Sequence, residues 1–444
     1  MEQLDGTVIA TALPAMARDL HEDPIALKLA LTAYLLSLAV FIPISGWVAD
    51  RLGARRVFRT AILVFTLGSI LCALSGSLVE IVAARIVQGL GGSMMTPVGR
   101  LVLLRTAPRD QLVEAMAWLA IPALVGPMIG PPLGGMFATY HDWRDIFWIN
   151  VPIGALGVAL VTRFIPDLRE IDAPPLDVRG AILSALALTC LVFGLTLAGR
   201  GLASVPVIAL IVAIGAIALV AYIRHARHIP HPVIDFRLLR VPTFRAAIFG
   251  GFLFRVGLGA TPFLLPLLLQ NGFGLSPAQS GLLTFAGAAG AIAMKMTAKP
   301  IIGRFGFRRV LAANALISAA SIALYAGFTP ATPHILMLFA ILLGGFFRSL
   351  EFTALNAIAY ADVAQTDMSR ATSFAAVGQQ LSLSVGVAIG AAALELVRRP
   401  EAAGGALAAT DFPLAFLTVA GISALSAAIF LKLPGNAGEN LVGR

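Results

Sequence analysis

A twelve-residue sequence that occurs twice decides how this chain of 444 residues is organised. Residues 46–57 read GWVADRLGARRV, and residues 299–310 read KPIIGRFGFRRV, so one glycine, three arginines and the final valine recur 253 positions later. The same displacement carries the glycine pair 91–92 onto 344–345. Two matches at one displacement indicate two halves that are related by duplication.

The composition identifies the surroundings of these halves. Hydrophobic residues make up 58% of the chain and charged residues only 12%, whereas soluble globular domains carry about 25% charged residues. We therefore predict an all-α polytopic membrane protein whose surface contacts the lipid bilayer. The net charge of +9 does not indicate a nucleic-acid partner, because the basic residues lie in short blocks between apolar runs instead of on one face.

Apolar runs of about 20 residues, the length that crosses about 30 Å of hydrocarbon, predict the membrane spans. Thirteen full-length runs and one short run at the start give fourteen predicted helices. A half of six helices needs about 190 residues at about 30 residues per helix and loop, so the displacement of 253 leaves room for two inserted helices, near 180–199 and 205–223. The predicted domains are a six-helix bundle over 1–165, two extra helices with flanking loops over 166–241, and a second six-helix bundle over 242–444.

The basic residues orient these spans, because Lys and Arg accumulate in the cytoplasmic loops of membrane proteins. Most of the 32 basic residues, Lys295 among them, fall in one alternating set of predicted loops. The opposite set holds only Arg18, Lys28, Arg144, Arg200, Arg398 and Arg399. Both termini are therefore expected on the cytoplasmic side, and a helix count wrong by one would destroy the alternation.

The repeated loop resembles the signature between the second and third helices of the major facilitator superfamily. Four more stretches resemble the fourteen-helix drug:proton antiporters of that superfamily: LDGTVIATALP at 4–14, RIVQGLGG at 85–92, GPMIGPPLGG at 126–135 and WRDIFWINVPIG at 143–154. The resemblance covers nearly the whole chain. It implies the major facilitator fold and a bacterial inner-membrane transporter that exports small amphipathic or drug-like solutes in exchange for protons by alternating access.

A protein of this kind is expected to be a monomer that is not an enzyme, needs no cofactor and is driven by the proton gradient. The sequence also lacks a P-loop signature, which argues against ATP as the energy source. Two alternatives remain open. One is a proton-coupled or facilitated transporter of a specific metabolite, and the other is a non-transporting receptor or scaffold, which gains nothing from acids inside its membrane spans.

Ionisable residues inside membrane spans are costly and are therefore candidates for function. Asp5 and Glu351 are the preferred proton carriers, because a partly desolvated carboxylate can exchange a proton near neutral pH. The family resemblance implies that Arg85 tunes Asp5. Arg348 precedes Glu351 by three residues, so these two could instead neutralise each other.

Other polar residues inside the spans are candidates for the substrate cavity. Arg255 has no evident local partner and is expected to meet an anionic group of a substrate, unless it is an interfacial or helix-bending arginine. Five amide side chains are expected either to line the cavity or to bond between helices: Gln88, Asn150, Asn356, Gln379 and Gln380.

The repeated loop predicts a conformational latch. Asp50 ends the second span, where it can pair with Arg55 or Arg56 or cap the next helix, although an ordinary basic loop is the simpler alternative. The predicted latch comprises Gly46, Asp50, Arg51, Gly53, Arg55 and Arg56. The second copy has Gly303 in place of Asp50, so the latch would be asymmetric.

The fifth predicted span carries glycine at every fourth position, which permits close contact with a neighbouring helix, and prolines beside these glycines favour a bend. The pattern comprises Gly126, Pro127, Gly130, Pro131, Gly134 and Gly135. In the resembling family it accompanies antiport, which favours export over uptake. Ordinary tight packing is the alternative.

Two further expectations concern the start of the chain and a loop with three histidines. The first apolar run, 4–16, is only about 20 Å long as a helix, so we expect Met1 to be an internal methionine of a longer native chain with an upstream half-helix and a short basic tail. His225, His228 and His231 are expected to lie in a solvated loop and to bind no metal, because Pro230 breaks the helix and no fourth ligand is evident.

Overall fold

A computed structural model describes residues 1–106, 126, 129–166, 168–169, 175–197, 204–230, 232–364, 367–397 and 407–439, and these residues form helices without a strand. The helices are α1 (Glu2–Asp19), α2 (Lys28–Leu52), α3 (Ala54–Leu74), α4 (Leu78–Thr106), α5 (Asp145–Trp148), α6 (Asn150–Phe164), α7 (Val178–Leu197), α8 (Val205–Ala226), α9 (Pro242–Leu267), α10 (Pro277–Phe305), α11 (Phe307–Leu324), α12 (His334–Ala359), α13 (Met368–Val397) and α14 (Phe412–Phe430). Residues 129–140 are also helical.

The predicted spans match these helices. Within the described residues, eleven helices are long and apolar enough to cross a membrane, and Val178–Gly194 is a shorter apolar helix. The predicted span 113–138 lies mostly outside the described residues. The first helix has 18 residues, which is longer than its apolar run, and the expectation of an upstream extension stays a prediction. The predicted all-α polytopic fold is confirmed.

The duplication is visible in the backbone. One residue, Gly53, separates α2 from α3, and one residue, Gly306, separates α10 from α11 at the same displacement of 253. Both glycines have positive φ, 95° and 77°, a region that residues with a Cβ rarely adopt. The two halves therefore turn the chain in the same way at the repeated loop.

The chain divides into two compact units. Unit 1 comprises Met1–Phe193 and Ala209–Ile234, and unit 2 comprises Gly194–Ile208 and Asp235–Arg444. In unit 1, α2 and α3 pack on α4, and α3 packs on α6; in unit 2, α10 packs on α12, and α9 packs on α13 and α14. The separate middle domain predicted over 166–241 stays a prediction.

Small residues bring the helices of unit 2 into close contact. A Cβ on Gly345 would lie 2.6 Å from Cα of Gly287, and a Cβ on Gly290 would lie 2.9 Å from the carbonyl carbon of Leu342. Close backbone approach of this kind replaces the hydrophobic driving force, which is weak between helices in lipid. Larger side chains, among them Phe254, form a buried hydrophobic core in the same unit.

Some basic residues that were assigned to loops lie within helices instead, and Lys295 is the clearest case. The helix α10 continues to Phe305, so Lys295 lies ten residues inside its end. Its assignment to a loop is wrong, because the helix extends through the apolar and small residues on both sides of the lysine.

Candidate functional site

A group of polar side chains lies buried in unit 1 where α1, α3, α4 and α6 approach each other. Asp5 is 1% exposed, Arg85 and Gln88 are 0% exposed, and Asn150 is 1% exposed. Burying a charge is costly unless the charge is paired and hydrogen-bonded. The ion-pair and hydrogen-bond partners of these side chains must therefore offset the cost of burying them.

Asp5 accepts hydrogen bonds on both carboxylate oxygens. Oδ2 forms an ion pair with Nη1 of Arg85. Oδ1 accepts from Nε2 of Gln88 at 2.8 Å and from Nδ2 of Asn150 at 3.1 Å. Asp5 therefore ties α1 to both α4 and α6.

Arg85 is fixed by three further contacts. Its Nη1 donates to Oε1 of Gln88 at 2.6 Å, and its Nε donates to the carbonyl oxygen of Ala30 at 3.2 Å. The guanidinium carbon lies 4.1 Å from the ring centroid of Tyr34, a cation–π distance. A planar guanidinium can satisfy these directions at once, whereas a lysine ammonium cannot.

The structure places two of the predicted cavity amides at Asp5. Gln88 and Asn150 both donate to the same oxygen of Asp5, and Nε2 of Gln88 also donates to Oγ of Ser69 at 2.7 Å. Neither amide is exposed enough to contact a solute in this arrangement. Their contacts connect them to the predicted proton carrier.

The arrangement can respond to a proton on Asp5. When Asp5 is ionised, the charge of Arg85 compensates it and all three donors stabilise the carboxylate. A proton on Asp5 removes the counter-charge of Arg85 and weakens the bonds that hold α1 to α4 and α6. Within the described residues, Nη2 of Arg85 and the Tyr34 hydroxyl have no hydrogen-bond partner, so the cluster keeps unused polar atoms.

The helix that carries Asp5 packs closely against the helical segment 129–140. A Cβ on Gly130 would lie 3.0 Å from Cβ of Thr7, and a Cβ on Gly134 would lie 3.0 Å from the carbonyl carbon of Val8. Oγ1 of Thr11 donates to the carbonyl oxygen of Pro131 at 3.2 Å. The glycines of the fifth span thus set the distance between α1 and the helical segment 129–140.

The other members of that glycine and proline pattern are placed as follows. Gly135 is buried, Gly126 is helical, and Pro127 lies outside the described residues. The contribution of this pattern to antiport stays a prediction.

We expect Gly134→Ala to lower thermal stability and slow transport. The added methyl group would meet the Val8 backbone, which cannot rotate away, and overpacking of this kind costs about 1–3 kcal/mol. The melting temperature of the purified protein measures the effect. Gly421→Ala is the matched control, because no heavy atom lies within 4 Å of its Cβ position. Equal melting temperatures for the two variants would contradict the close contact.

In unit 2, Glu351 is buried on α12 with 0% exposure. Its Oε2 accepts from Nδ2 of Asn314 at 2.9 Å, and its Oε1 has no hydrogen-bond partner among the described residues. Nε of Arg348 instead donates to the carbonyl oxygen of Gly344 at 3.1 Å. The described contacts contain no ion pair between Arg348 and Glu351, so mutual neutralisation, the alternative raised by their spacing, does not occur in this structure.

Arg255 lies in the middle of α9 and is 5% exposed, which excludes an interfacial arginine. Its guanidinium carbon is 5.7 Å from the ring centroid of Phe352, and Tyr360 and Glu351 both lie within electrostatic range of it. Gly251 provides space for the guanidinium, because a Cβ there would lie 2.7 Å from Nη1. Arg255 therefore belongs to the surroundings of Glu351.

The remaining predicted cavity residues are more accessible. Asn356 on α12 is exposed, and Gln379 and Gln380 on α13 are half-buried. Oε1 of Gln380 has no hydrogen-bond partner in the part of the chain that the structure describes. Their contribution to a substrate cavity stays a prediction.

The predicted latch residues surround the turn between α2 and α3. Nε of Arg55 donates to the carbonyl oxygen of Ile165, and the backbone N–H of Ala54 donates to Leu168 at 2.9 Å. The loop is thereby attached to the segment after α6. Gly46, Arg51 and Arg56 are exposed, Asp50 is half-buried and Gly53 is buried, and the latch stays a prediction.

The histidines lie near the inserted helices. Nε2 of His225 is 2.7 Å from Oδ1 of Asp177, so this histidine links the start of α7 to the end of α8. Nδ1 of His228 lies 2.7 Å from the carbonyl oxygen of Arg224, and His231 is outside the described residues. Among the described residues, no three potential metal ligands cluster.

Several residues at these sites were not predicted from the sequence. Tyr34, Ser69 and Asn314 contact the buried charges from other helices, and their sequence neighbours give no sign of it. Glu2 could have been found, because it precedes Asp5 by three residues and so lies one helical turn away. Its carboxylate accepts a hydrogen bond from Thr96.

Comparisons with known proteins agree with this architecture. The family model described as Major Facilitator Superfamily matches residues 1–230 and 247–442. A protein named "Putative multidrug resistance protein MdtD" from Salmonella typhi is 37% identical over 447 residues, covering 100% of this chain and 94% of the relative. The protein of the same name from Escherichia coli O6:H1 is 36% identical over 451 residues, covering 99% and 94%.

Solved structures of transporters have the same fold. A D-xylose-proton symporter superposes with a TM-score of 0.69 at 15% identity, covering 98% of this chain and 96% of that chain. A POT family transporter in complex with 5-aminolevulinic acid gives 0.70 at 14% identity, covering 97% and 93%. At such low identity these likenesses show the fold alone.

Proposed function

The chain belongs to the major facilitator superfamily, and from that premise we propose that it exports small amphipathic or drug-like solutes in exchange for protons by alternating access. Members of this superfamily are transporters and not enzymes. The names of the MdtD relatives refer to multidrug resistance, which supports export. The residues of the site supply the reason for proton coupling.

The single observation that carries the proposal is the buried ion pair between Asp5 and Arg85. A buried pair is weak evidence for stability, since well-packed apolar residues of similar volume often serve as well. The free-energy cost of burying two charges is explained if the carboxylate gains and loses a proton during function. A receptor or scaffold would have no use for such a pair.

Proton binding at Asp5 changes the contacts inside unit 1. The ionised carboxylate holds α1 to α4 and α6 through Arg85, Gln88 and Asn150. The protonated acid loses the charge-assisted part of these bonds. The position of α1 therefore depends on the proton, and antiport follows when solute and proton favour different positions of that helix.

Glu351 is proposed as a second proton carrier in unit 2. It is fully buried, one oxygen has no hydrogen-bond partner among the described residues, and Arg255 lies within electrostatic range. An acid that is not locked in an ion pair can bind a proton without first breaking one. Asn314 holds the carboxyl group in place through its bond to Oε2.

The proposal is tested in proteoliposomes with an acidic lumen. Two permanently charged amphiphiles, 1-naphthalenesulfonate and trimethyl-1-naphthylammonium, are added outside, because permanent charge prevents passive accumulation along the pH gradient. We expect protein-dependent accumulation of at least one of them, and a protonophore is expected to abolish it. Accumulation that is insensitive to the protonophore, or none, would overturn proton-coupled export.

We expect Glu351→Gln to reduce this accumulation by at least about tenfold, a loss of about 1.4 kcal/mol in the coupled step. Glutamine retains the shape and can accept from Asn314, but it cannot carry a proton. The initial rate of accumulation measures the effect. Glu439→Gln is the control, because Glu439 is exposed beyond the last helix. A wild-type rate for Glu351→Gln would remove Glu351 from the coupling mechanism.

We further propose that both termini lie in the cytoplasm of a bacterium and that the protein spans its inner membrane. The biased distribution of basic residues between alternating loops supports this orientation. Fusing a fluorescent protein that matures only in the cytoplasm to the C-terminus tests it, and a non-fluorescent, correctly inserted fusion would contradict it.

A further inference from the structure

Two basic side chains lie inside helices of unit 2 without a carboxylate partner. Lys295 is exposed and its Nζ donates to Oγ1 of Thr353 at 2.7 Å. Arg348 is half-buried and bonds to the carbonyl oxygen of Gly344. Among the described residues neither forms an ion pair. Each therefore keeps a positive charge that the protein does not neutralise locally.

The depth of Arg348 shows what kind of surface it lies on. It is eleven residues before the end of α12, which corresponds to about 16 Å of helix, whereas Lys295 is three residues before the end of the apolar span Pro277–Ala298. Charged groups as deep as Arg348 almost always face a bundle interior or a water-filled cavity instead of lipid. The half-buried face around Arg348 is therefore a hydrated face of unit 2, with Lys295 towards its end.

A polar stripe on α12 accompanies the lysine. Ser349, Thr353 and Asn356 follow each other at intervals of four and three residues, so they share one face of the helix. Oγ of Ser349 donates to the carbonyl oxygen of Ala291 on α10, and Thr353 accepts from Lys295. We call this contact line between the two helices the α10–α12 seam.

Glycines fix the geometry of the α10–α12 seam. Gly287 lies against Gly345, where a Cβ would meet backbone atoms, and a Cβ on Gly287 would lie 3.4 Å from Nη2 of Arg348. The guanidinium therefore lies at the level of Gly287, eight residues before Lys295. This separation corresponds to about 12 Å along α10, so the two cations lie along the same seam.

Comparison of the two halves shows that these cations are specific to unit 2. The displacement of 253 places Lys295 on Ile42 and Arg348 on Met95. Ile42 is buried and Met95 is half-buried. The duplicated architecture thus forms in unit 1 with apolar residues at both positions, and the charges of unit 2 are not needed to build the fold.

We propose that the α10–α12 seam binds the acidic group of a solute, so that the preferred substrates are amphipathic organic anions with a carboxylate, sulfonate or phosphate group. The inference rests on the proposed export function and adds the sign of the substrate charge. Lys295 and Arg348 supply the counter-charge, and the exposed amide of Asn356 supplies a hydrogen bond, while Thr353 holds Lys295 in place. Exposed Met296, at 85%, offers apolar surface to the rest of the molecule.

The test compares two ligands with the same ring and opposite charge. Binding of 1-naphthalenesulfonate and of trimethyl-1-naphthylammonium to the purified full chain in nanodiscs is measured by calorimetry. We expect the sulfonate to bind at least about tenfold more tightly. Lys295→Gln and Arg348→Gln are each expected to weaken sulfonate binding by about five- to tenfold and to leave ammonium binding within about twofold.

Lys432→Gln is the matched control, because Lys432 is exposed just beyond the end of α14, and it is expected to bind both compounds as wild type does. Equal binding of the two compounds, no measurable binding of the sulfonate, or a retained sulfonate preference in both variants would overturn the anion site. Proton-driven accumulation of the ammonium compound alone would leave the proposed export function intact while rejecting the substrate class.

Discussion

Asp5→Asn is expected to abolish pH-gradient-driven accumulation of solute in proteoliposomes while allowing solute exchange across the membrane at equal pH. Asparagine is nearly isosteric with aspartate and can accept hydrogen bonds from Gln88 and Asn150, but it cannot ionise. The proton-dependent change in the contacts of α1 would therefore be lost. The initial rate of accumulation and the rate of exchange between labelled and unlabelled solute measure the two properties separately.

The exchange measurement shows whether the variant is folded, because a misfolded protein would lose exchange as well. Asp19→Asn provides the matched control on the same helix: Asp19 is 48% exposed in its side chain and pairs with Arg144. It is expected to keep most of the coupled transport, since an exposed pair contributes little. Wild-type accumulation by Asp5→Asn would contradict the account.

Arg85→Gln is expected to cause the largest loss of stability among single substitutions at the site. It leaves the Asp5 carboxylate buried without its counter-charge, and breaking a buried ion pair on one side costs about 3–5 kcal/mol. It also removes the cation from the Tyr34 ring and the bond to Ala30. The melting temperature and the yield of monodisperse protein after purification measure the loss.

The double variant Asp5→Asn/Arg85→Gln separates charge from packing. Because it removes both charges, it should be more stable than Arg85→Gln alone, although it should not accumulate solute. Arg85→Lys is expected to restore only part of the stability, since one ammonium cannot replace the bonds of the planar guanidinium. The pair would be shown not to be coupled by either of two results. One is a melting temperature of Arg85→Gln equal to that of the wild-type protein, and the other is a melting temperature of the double variant below those of both single variants.

Helix positions and the repeat follow directly from the sequence because they depend on local properties. Apolar length sets the spans, and the glycine between paired helices marks each repeated turn, as Gly53 and Gly306 show. Only the C-terminal end of α10 was harder to predict, since the helix continues past its apolar run to Phe305 and hydropathy alone does not distinguish this extension from a loop.

The buried site was only partly predictable. Asp5 and Arg85 were evident because charges inside apolar runs are rare. The cross-helix contacts of Gln88 and Asn150 with Asp5 were not, since an amide in a span can equally face a cavity or a neighbouring helix. The spacing of Arg348 and Glu351 was misleading: helical spacing permits a contact, but the Arg348 side chain reaches back to Gly344 instead.

Substrate-induced proton release from the purified protein tests the central claim most directly. A solute that the proteoliposome assay identifies as transported is added to the protein in weakly buffered solution, and the released protons are measured with a pH indicator. The account predicts release by the wild-type protein and little or none by Asp5→Asn. Undiminished release from Asp5→Asn, or no release from the wild-type protein, would contradict it.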